Sequence, residues 1–257
     1  MEAVAERKLI SIVNLWDGGE LLENLISATL ANVDEMIIVY SNQSNHGERV
    51  YHLFYEASLF TTLAKWEPNT KLAPHANETA KRNFGLKCAI ERGATHILMQ
   101  DVDEFYDPDE FEREKERIYR NDLNGLVCGL RCYIKKPTLW VNDHTLVPFI
   151  QKVTPGLQFG SFKKYPFAYD RNGDAHIDPT RRTNQTKRIE WSDITMHHFS
   201  WVRQSIDRKI NNSSARNNLL KSTIKQDLAK AAPGVYCDFY RDTIKECENK
   251  FGIHIND

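Results

Sequence analysis

The chain has 257 residues, 41% of them hydrophobic, and its 34 basic and 35 acidic side chains give a formal net charge of -1. This length encloses one large core, while the charge balance excludes a global attraction to nucleic acid or anionic membranes. No apolar run approaches the roughly 20 residues of a membrane span, and residues 1–8 lack the apolar core of a secretory signal. We therefore expect a cytoplasmic protein without a transmembrane segment or nucleic-acid partner.

The first hundred residues alternate short apolar runs rich in β-branched residues with helix-like segments. The predicted strands are Lys8–Asn14, Glu35–Tyr40, Thr61–Trp66 and Thr95–Gln100. The predicted helices are Glu20–Ala31, Gly47–Ala57 and Glu78–Arg92, the last one ending at Gly93. This alternation predicts an α/β fold with a mostly parallel central sheet flanked by helices. Five cysteines without a Cys-x-x-Cys pair predict buried free thiols.

The second half has a different pattern. A helix is predicted to begin at Asp107, because a capping residue followed by Pro108 and then acids is typical of a helix start. Later strands are predicted at Asn124–Ile134, Thr145–Val153 and Ile189–Met196. The polar stretch 154–188 is longer than an ordinary connection, which favours a functional loop. Residues 201–257 are predicted to form two or three helices, interrupted near Ala232-Pro233-Gly234.

An acidic motif, Asp101-Val102-Asp103-Glu104-Phe105, follows the fourth predicted strand. Residues two apart on an extended chain point to the same side, and ligands of α/β sheets bind beyond the carboxyl ends of the strands. Carboxylates there would hold Mn²⁺ or Mg²⁺ against a leaving diphosphate. The motif thus predicts Asp101 and Asp103 as metal ligands, although Asp-x-Asp alone is also typical of a solvated turn.

The helix before this strand carries Arg82-Asn83-Phe84-Gly85. An Arg-Asn-x-Gly helix followed by an Asp-x-Asp strand resembles family 2 glycosyltransferases and their GT-A relatives, over residues 8–210. The resemblance implies a GT-A fold, a nucleotide-diphosphate sugar donor, a glycan or glycoconjugate acceptor, and transfer of a hexose or pentose. It also implies a catalytic domain at 1–200, divided at 106/107 into nucleotide-sugar and acceptor halves, with the helical segment 201–257 packed on it.

The same resemblance suggests which residues contact the donor. Its implied donor-binding residues are Asn14, Trp16, Tyr40, Ser41, Arg82, Asn83 and Asp101. The acid that the family commonly has after the second strand is replaced here by Tyr40-Ser41, which leaves the nucleobase open. Alternatively, Arg82 is a solvated helix residue, Asn83 is an ordinary surface residue, and Gly85 allows close packing of the helix.

A histidine pair, His197-His198, ends the last predicted strand and resembles the late metal-binding histidine of GT-A enzymes. Because an alternating strand does not aim both side chains at one site, we predict His198 as the third metal ligand and a structural role for His197. Arg203 and Lys209 follow and are predicted to face the diphosphate.

The loop 154–188 is expected to form the acceptor side. Inverting transfer, which we favour, needs a carboxylate that accepts the acceptor's proton. Asp178 is predicted as this base because Pro179 restricts its backbone, with Asp174 as second choice; the other acids considered are Asp170 and Asp193. Phe162 and Phe167 are expected either to stack on a sugar ring or to pack the loop against the core. The side chains predicted to meet an anionic acceptor are Arg181, Arg182, Lys187 and Arg188.

Three other functions fit parts of the pattern. A non-catalytic nucleotide-sugar-binding module would not need to keep both acids and the histidine. A phosphotransferase of the haloacid-dehalogenase type uses Asp-x-Asp, but on its first strand. A nucleotidyltransferase would need a glycine-rich phosphate loop after the first strand, where this chain has only Gly18-Gly19.

Overall fold

A nine-stranded mixed sheet forms the centre of the computed structural model, which describes residues 7–50, 61–163, 165–167, 177–212 and 218–255. Its strands are β1 (Leu9–Leu15), β2 (Glu35–Tyr40), β3 (Thr61–Lys65), β4 (His96–Asp101), β5 (Glu104–Phe105), β6 (Gly125–Ile134), β7 (Leu139–Lys152), β8 (Glu190–Trp201) and β11 (Lys245–Glu246). Strands β9 (Tyr236–Cys237) and β10 (Asp242–Thr243) form a separate two-stranded sheet. The order is β3-β2-β1-β4-β7-β6-β8-β5, and β11 pairs with β7.

The helices are α1 (Leu22–Thr29), α2 (Pro74–Glu91), α3 (Pro108–Arg120), α4 (Ile206–Asn212) and α5 (Asn218–Lys230). Short 3₁₀ turns at Gly19–Leu21 and Leu30–Asn32 flank α1, and a third lies at Pro179–Arg181. In the described ranges, no helix has the length and apolar character that crossing a bilayer requires. The structure therefore confirms the α/β class with a central sheet flanked by helices.

Strands β3, β2, β1 and β4 run parallel to one another. The side chains of β1, β2 and β4 are buried on both faces, which explains the continuous apolar runs of these strands, whereas β3 at the edge of the sheet is partly exposed. On β1, Ile10 and Ile12 pack in one cluster with Leu86 of α2, whereas Val13 and Leu15 pack in another with Leu25 of α1. The carboxyl ends of these strands meet at one edge of the sheet, where α/β proteins bind ligands.

The other half of the sheet is not uniformly parallel. Strand β7 is antiparallel to β4 and β6, whereas β6 and β8 are parallel. The predicted parallel pairing is therefore found among the first four strands and again between β6 and β8, and the other pairings of the sheet are antiparallel. Antiparallel pairing of β5 with β8 places Glu104 opposite His198 and Phe105 opposite His197, and this pairing brings the acidic motif to the histidine pair.

Several predicted boundaries need correction. Strands β7 and β8 extend beyond Thr145–Val153 and Ile189–Met196, because β7 pairs with β6 from Trp140 to Gln151 and β8 continues to pair with β5. Residues 47–50 are not helical, and the rest of the predicted helix Gly47–Ala57 lies outside the described residues. Helices α4 and α5 confirm two of the C-terminal helices. No third helix follows in residues 231–255, where the chain turns and forms the short strands β9–β11, so the prediction of two or three helices holds at two.

Local sequence signals were otherwise reliable. Asp107 caps α3 by accepting hydrogen bonds from the backbone N–H groups of Asp109 and Glu110, at 3.0 and 2.9 Å. Gly93 follows α2 with a φ of 79°, a conformation that favours glycine. All five cysteines are free, and Cys128, Cys132 and Cys237 are buried, whereas Cys88 and Cys247 are partly exposed.

Gly85 allows α2 to approach the sheet closely. A Cβ atom at this position would lie 2.5 Å from Cγ2 of Ile12 and 3.0 Å from Cγ2 of Val39. We expect Gly85→Ala to lower the free energy of unfolding by about 1 kcal/mol, because overpacking costs about 1–3 kcal/mol and the gain in helix propensity offsets up to about 1 kcal/mol. Urea unfolding measures the change, with the exposed Lys87→Ala on the same helix as control. Equal stability of both variants would contradict the close approach.

Candidate functional site

A polar pocket of about 370 Å³ opens at the carboxyl ends of β1, β2 and β4. The predicted site residues that line it are Asn14, Trp16, Ser41, Arg82, Asp101, Asp103, Asp178 and His198. Lining residues that the sequence analysis did not single out include Trp66, Glu78, Lys81 and Thr180. Arg203 and Lys209 also line the pocket, so the segment 201–257 contributes directly to it.

Asp101, the last residue of β4, is surrounded by donors. It accepts hydrogen bonds from Asn14 Nδ2 at 3.2 Å, from Arg82 Nη2 at 3.3 Å and from Arg181 Nη2 at 3.0 Å. Burial alone would raise the pKa of Asp101, but the two guanidinium groups outweigh burial and hold this pKa below its usual range. The carboxylate is therefore ionised and fixes the position of both arginines.

Asp103 makes a different set of contacts, because the chain turns after Asp101 and no longer alternates as a strand. Its Oδ2 accepts hydrogen bonds from Arg203 Nη2 and, at 3.0 Å, from Lys209 Nζ, and lies 3.5 Å from His198 Nε2. Burial would raise the pKa of Asp103, but Lys209 and Arg203 hold it well below the usual range. Both acids of the motif thus line one pocket with separate partners.

The group of side chains best arranged for a metal is Asp103, Glu104 and His198, whose potential ligand atoms lie within 4.8 Å of one another. Asp101 does not belong to this group. Glu104 was missed as a ligand, although it directly follows Asp103 and extends the acidic motif. Two carboxylates and one imidazole suit Mn²⁺ or Mg²⁺. The donor set therefore fits, and a cation there would compete with Lys209 for the Asp103 carboxylate.

The two histidines of β8 have different surroundings. His197 forms a hydrogen bond of 2.7 Å between its Nδ1 and the Tyr133 hydroxyl, and burial lowers the pKa of His197 to about 4. For His198, burial lowers the pKa, but Asp103 outweighs burial and raises it above the usual value. His198 therefore faces the acids and His197 faces the interior, and metal binding by His198 stays a prediction.

Basic side chains in the pocket have unused hydrogen-bond donors. Arg82 and Arg203 are 4% and 8% exposed, and the Nε and Nη1 groups of both lack a hydrogen-bond partner in the described ranges. The same holds for Trp16 Nε1. Lys81 donates to the Leu15 carbonyl at 2.9 Å, and burial lowers its pKa to about 7. Buried donors without partners are costly, and guanidinium groups bind phosphate well, so the pocket suits an anion.

Arg181 anchors the loop to the strand ends. The side chain is 2% exposed, donates to the Met99 carbonyl at 3.1 Å, and forms ion pairs with Asp101, Glu104 and Asp178. The expectation that Arg181 meets an acceptor is therefore wrong, because its guanidinium is enclosed by carboxylates. Arg182 is also engaged, since it donates to backbone carbonyls of the loop.

Other predicted residues lie away from the pocket. Tyr40 packs against the cluster beside α1. Asn83 pairs with the backbone of Phe159, at 2.8 and 2.9 Å, so it fixes the loop instead of contacting a donor. Phe167 packs beside the cluster that contains Ile189, as the pinning interpretation predicts. Asp174, like Asp170, lies outside the described residues, and Asp193 accepts a hydrogen bond from Trp191 Nε1.

Comparisons with known proteins give only distant similarity. No protein-family model matches the chain, and no curated protein matches it significantly. Residues 1–349 of S. aureus TarS are 16% identical over 86% of this chain and 70% of that chain, with a TM-score of 0.44. The same fragment in complex with UDP-GlcNAc is 15% identical over 86% of this chain and 71% of that chain, with a TM-score of 0.43. A further TarS structure is 15% identical over 86% of this chain and 43% of that chain, with a TM-score of 0.42. These TM-scores lie below 0.5, so function is argued from the site itself.

Proposed function

We propose that the protein is a glycosyltransferase that transfers a sugar from a nucleotide-diphosphate donor to a glycan or glycoconjugate. The observation that carries this proposal is the pairing of opposite charges in the pocket. Among the described residues, Arg82 and Arg203 have N–H groups without partners, and Arg203 pairs with Asp103 of the carboxylate and imidazole group. A diphosphate needs both, because its charge is bound by guanidinium groups and by a divalent cation.

The pocket-lining residues divide by chemistry. Asn14, Trp16 and Ser41, at the ends of β1 and β2, would bind the nucleoside, as the family resemblance implies. Arg82 and Arg203 would bind the phosphates. Their rigid, buried guanidinium groups stabilise the negative charge that grows on the diphosphate as the sugar leaves.

Asp103, Glu104 and His198 are the residues that would hold Mn²⁺ or Mg²⁺. Such a cation, when bound, neutralises charge on the leaving diphosphate. Asp101, predicted earlier as a ligand, contributes in another way: its ion pairs orient Arg82 and Arg181. We propose inverting transfer, with the catalytic domain at 1–200 and the segment 201–257 supplying Arg203 and Lys209.

The proposal is tested by thermal unfolding with UDP, GDP and their sugars, in Mn²⁺, in Mg²⁺ and in EDTA. A ligand at 100 times its Kd stabilises by about 2.7 kcal/mol, and we expect this only when a cation is present. His198→Ala should lose the cation response. His197→Ala is the matched control, which should lose stability through the Tyr133 contact and keep the response.

Each outcome has a distinct meaning. Stabilisation that is equal in EDTA and in Mn²⁺ would contradict the metal-dependent part and leave a guanidinium-bound diphosphate. Failure of every nucleotide to stabilise the protein would contradict the site. A cation response that survives in His198→Ala but not in His197→Ala would reverse the roles of the two histidines.

A further inference from the structure

One carboxylate in the pocket makes no hydrogen bond or ion pair with another side chain of the described ranges. Asp17, Asp101 and Asp103 all pair with basic groups. Asp178 accepts hydrogen bonds from the backbone and hydroxyl of Thr180, both at 2.8 Å, and from Arg181 at 3.2 Å. Glu78 lines the same pocket, and its carboxylate interacts with Arg82 and His75 through charge, without a hydrogen bond to another described side chain. Its carboxylate is therefore free to bind a ligand.

Glu78 lies on the face of α2 that lines the outer part of the pocket. Glu78, Lys81 and Arg82 all line it, as side chains at i, i+3 and i+4 on one helix face do. Helix α2 follows β3 and runs back to the start of β4, so its early turns lie beyond the carboxyl edge of the sheet. Glu78 precedes Arg82 by one turn, a rise of about 6 Å, and so lies farther out than the proposed phosphate-binding group.

The loop expected to bind the acceptor is attached to the same helix. His75 contacts Ser161 by a hydrogen bond of 3.3 Å, and Asn83 holds Phe159 through both backbone groups. These contacts lie on either side of Glu78 along the helix. Glu78 therefore lies where the donor pocket borders the loop, and a hydroxyl entering from the loop side would approach its carboxylate.

We propose that Glu78 is the general base of the transfer reaction, an inference that rests on the proposed function. The Glu78 carboxylate takes the proton of the acceptor hydroxyl while the acceptor oxygen forms a bond to the anomeric carbon. The bond from that carbon to the diphosphate oxygen breaks, and its electron pair leaves with the nucleoside diphosphate. Asp178, predicted from the sequence as the base, instead holds Thr180 and Arg181 in place.

The surroundings of the two carboxyl groups support this division. Burial raises the pKa of Glu78; Arg82 and His75 oppose this, whereas Asp101 and Asp178 add to it. Lys81, on the same helix face, is the other charged neighbour. For Asp178, burial raises the pKa but Arg181 and Arg82 outweigh it, so the net shift is downward. A general base works best with a pKa near the working pH. Two carboxyl groups whose pKa values are shifted in opposite directions, as in Glu78 and Asp178, are typical of different acid–base roles.

The test uses hydrolysis, with water as the acceptor, of UDP-glucose, UDP-GlcNAc and GDP-mannose in Mn²⁺, measured as nucleoside diphosphate release. Glu78→Gln should lower kcat by about 10² to 10⁴ with donor Kd within about twofold. Glu91→Gln, exposed on the same helix, is the control and should match wild type. In wild type, kcat/KM should fall at low pH through the Glu78 pKa; this fall should be absent in Glu78→Gln and present in Asp178→Asn.

The outcomes separate this inference from the function on which it rests. Donor binding with wild-type turnover in Glu78→Gln would overturn Glu78 as the base and leave the glycosyltransferase intact. Loss of the low-pH fall in Asp178→Asn, with the fall retained in Glu78→Gln, would assign the base to Asp178. A released sugar that keeps the donor's anomeric configuration would overturn the single-step mechanism. Absence of donor binding would overturn the proposed function and this inference with it.

Discussion

Replacing Arg181 with methionine is expected to lower the free energy of unfolding by about 3–5 kcal/mol, the cost of leaving buried charges without their partner. The guanidinium group is 2% exposed and pairs with three carboxylates, those of Asp101, Glu104 and Asp178. Methionine fills much of the same space, so the loss reflects charge more than a cavity. Urea unfolding measures it.

Two further variants make this prediction specific. Arg188→Met removes an exposed guanidinium from the same loop and should change stability by less than about 0.5 kcal/mol. Adding Glu104→Gln to Arg181→Met removes one of the buried charges that has lost its partner, so the double variant should be more stable than the sum of the single changes. Arg181→Met with wild-type stability would mean that the loop is not anchored by this residue.

Asp103→Asn is expected to lower both transfer and stability. Loss of the carboxylate removes a proposed metal ligand, and losing an interaction that stabilises transition-state charge costs a factor of 10² or more in turnover. An acid at the end of a strand ordinarily contributes little to a core, so its replacement would be expected to leave the fold intact. The structure changes this expectation: Asp103 is 1% exposed and balances Arg203 and Lys209. We expect a stability loss of about 3 kcal/mol.

The two effects of Asp103→Asn are separated by measuring turnover at a temperature where unfolding curves show the variant folded. Asp109→Asn, exposed on α3, serves as the control for loss of one acidic charge. Turnover within threefold of wild type would contradict the role of Asp103 in catalysis. Unchanged stability would mean that solvent, and not Asp103, balances the charge of Arg203.

The elements that depend on local chemistry could be predicted from the order of the amino acids. Apolar runs fixed the parallel strands, because strands buried on both faces carry continuous hydrophobic residues. The cap at Asp107 and the left-handed position at Gly93 were predicted because side chains within a few residues decide them. The acids after β4 were placed at the ligand-binding edge by the general topology of α/β sheets.

The pairing of charged side chains in the pocket, by contrast, depends on the three-dimensional fold. Arg181 lies in a polar loop of the sequence, yet it contacts Asp101 across 80 residues, and no local pattern reports such a pairing. Glu104 meets His198 because β5 pairs with β8, and the partner of a two-residue strand depends on the whole sheet. In the sequence, Glu78 looks like any acid on the surface of a helix. Only the fold shows that it lines the pocket, where burial raises its pKa. Desolvation and charge pairing act through space, so they are set by the fold and not by sequence spacing.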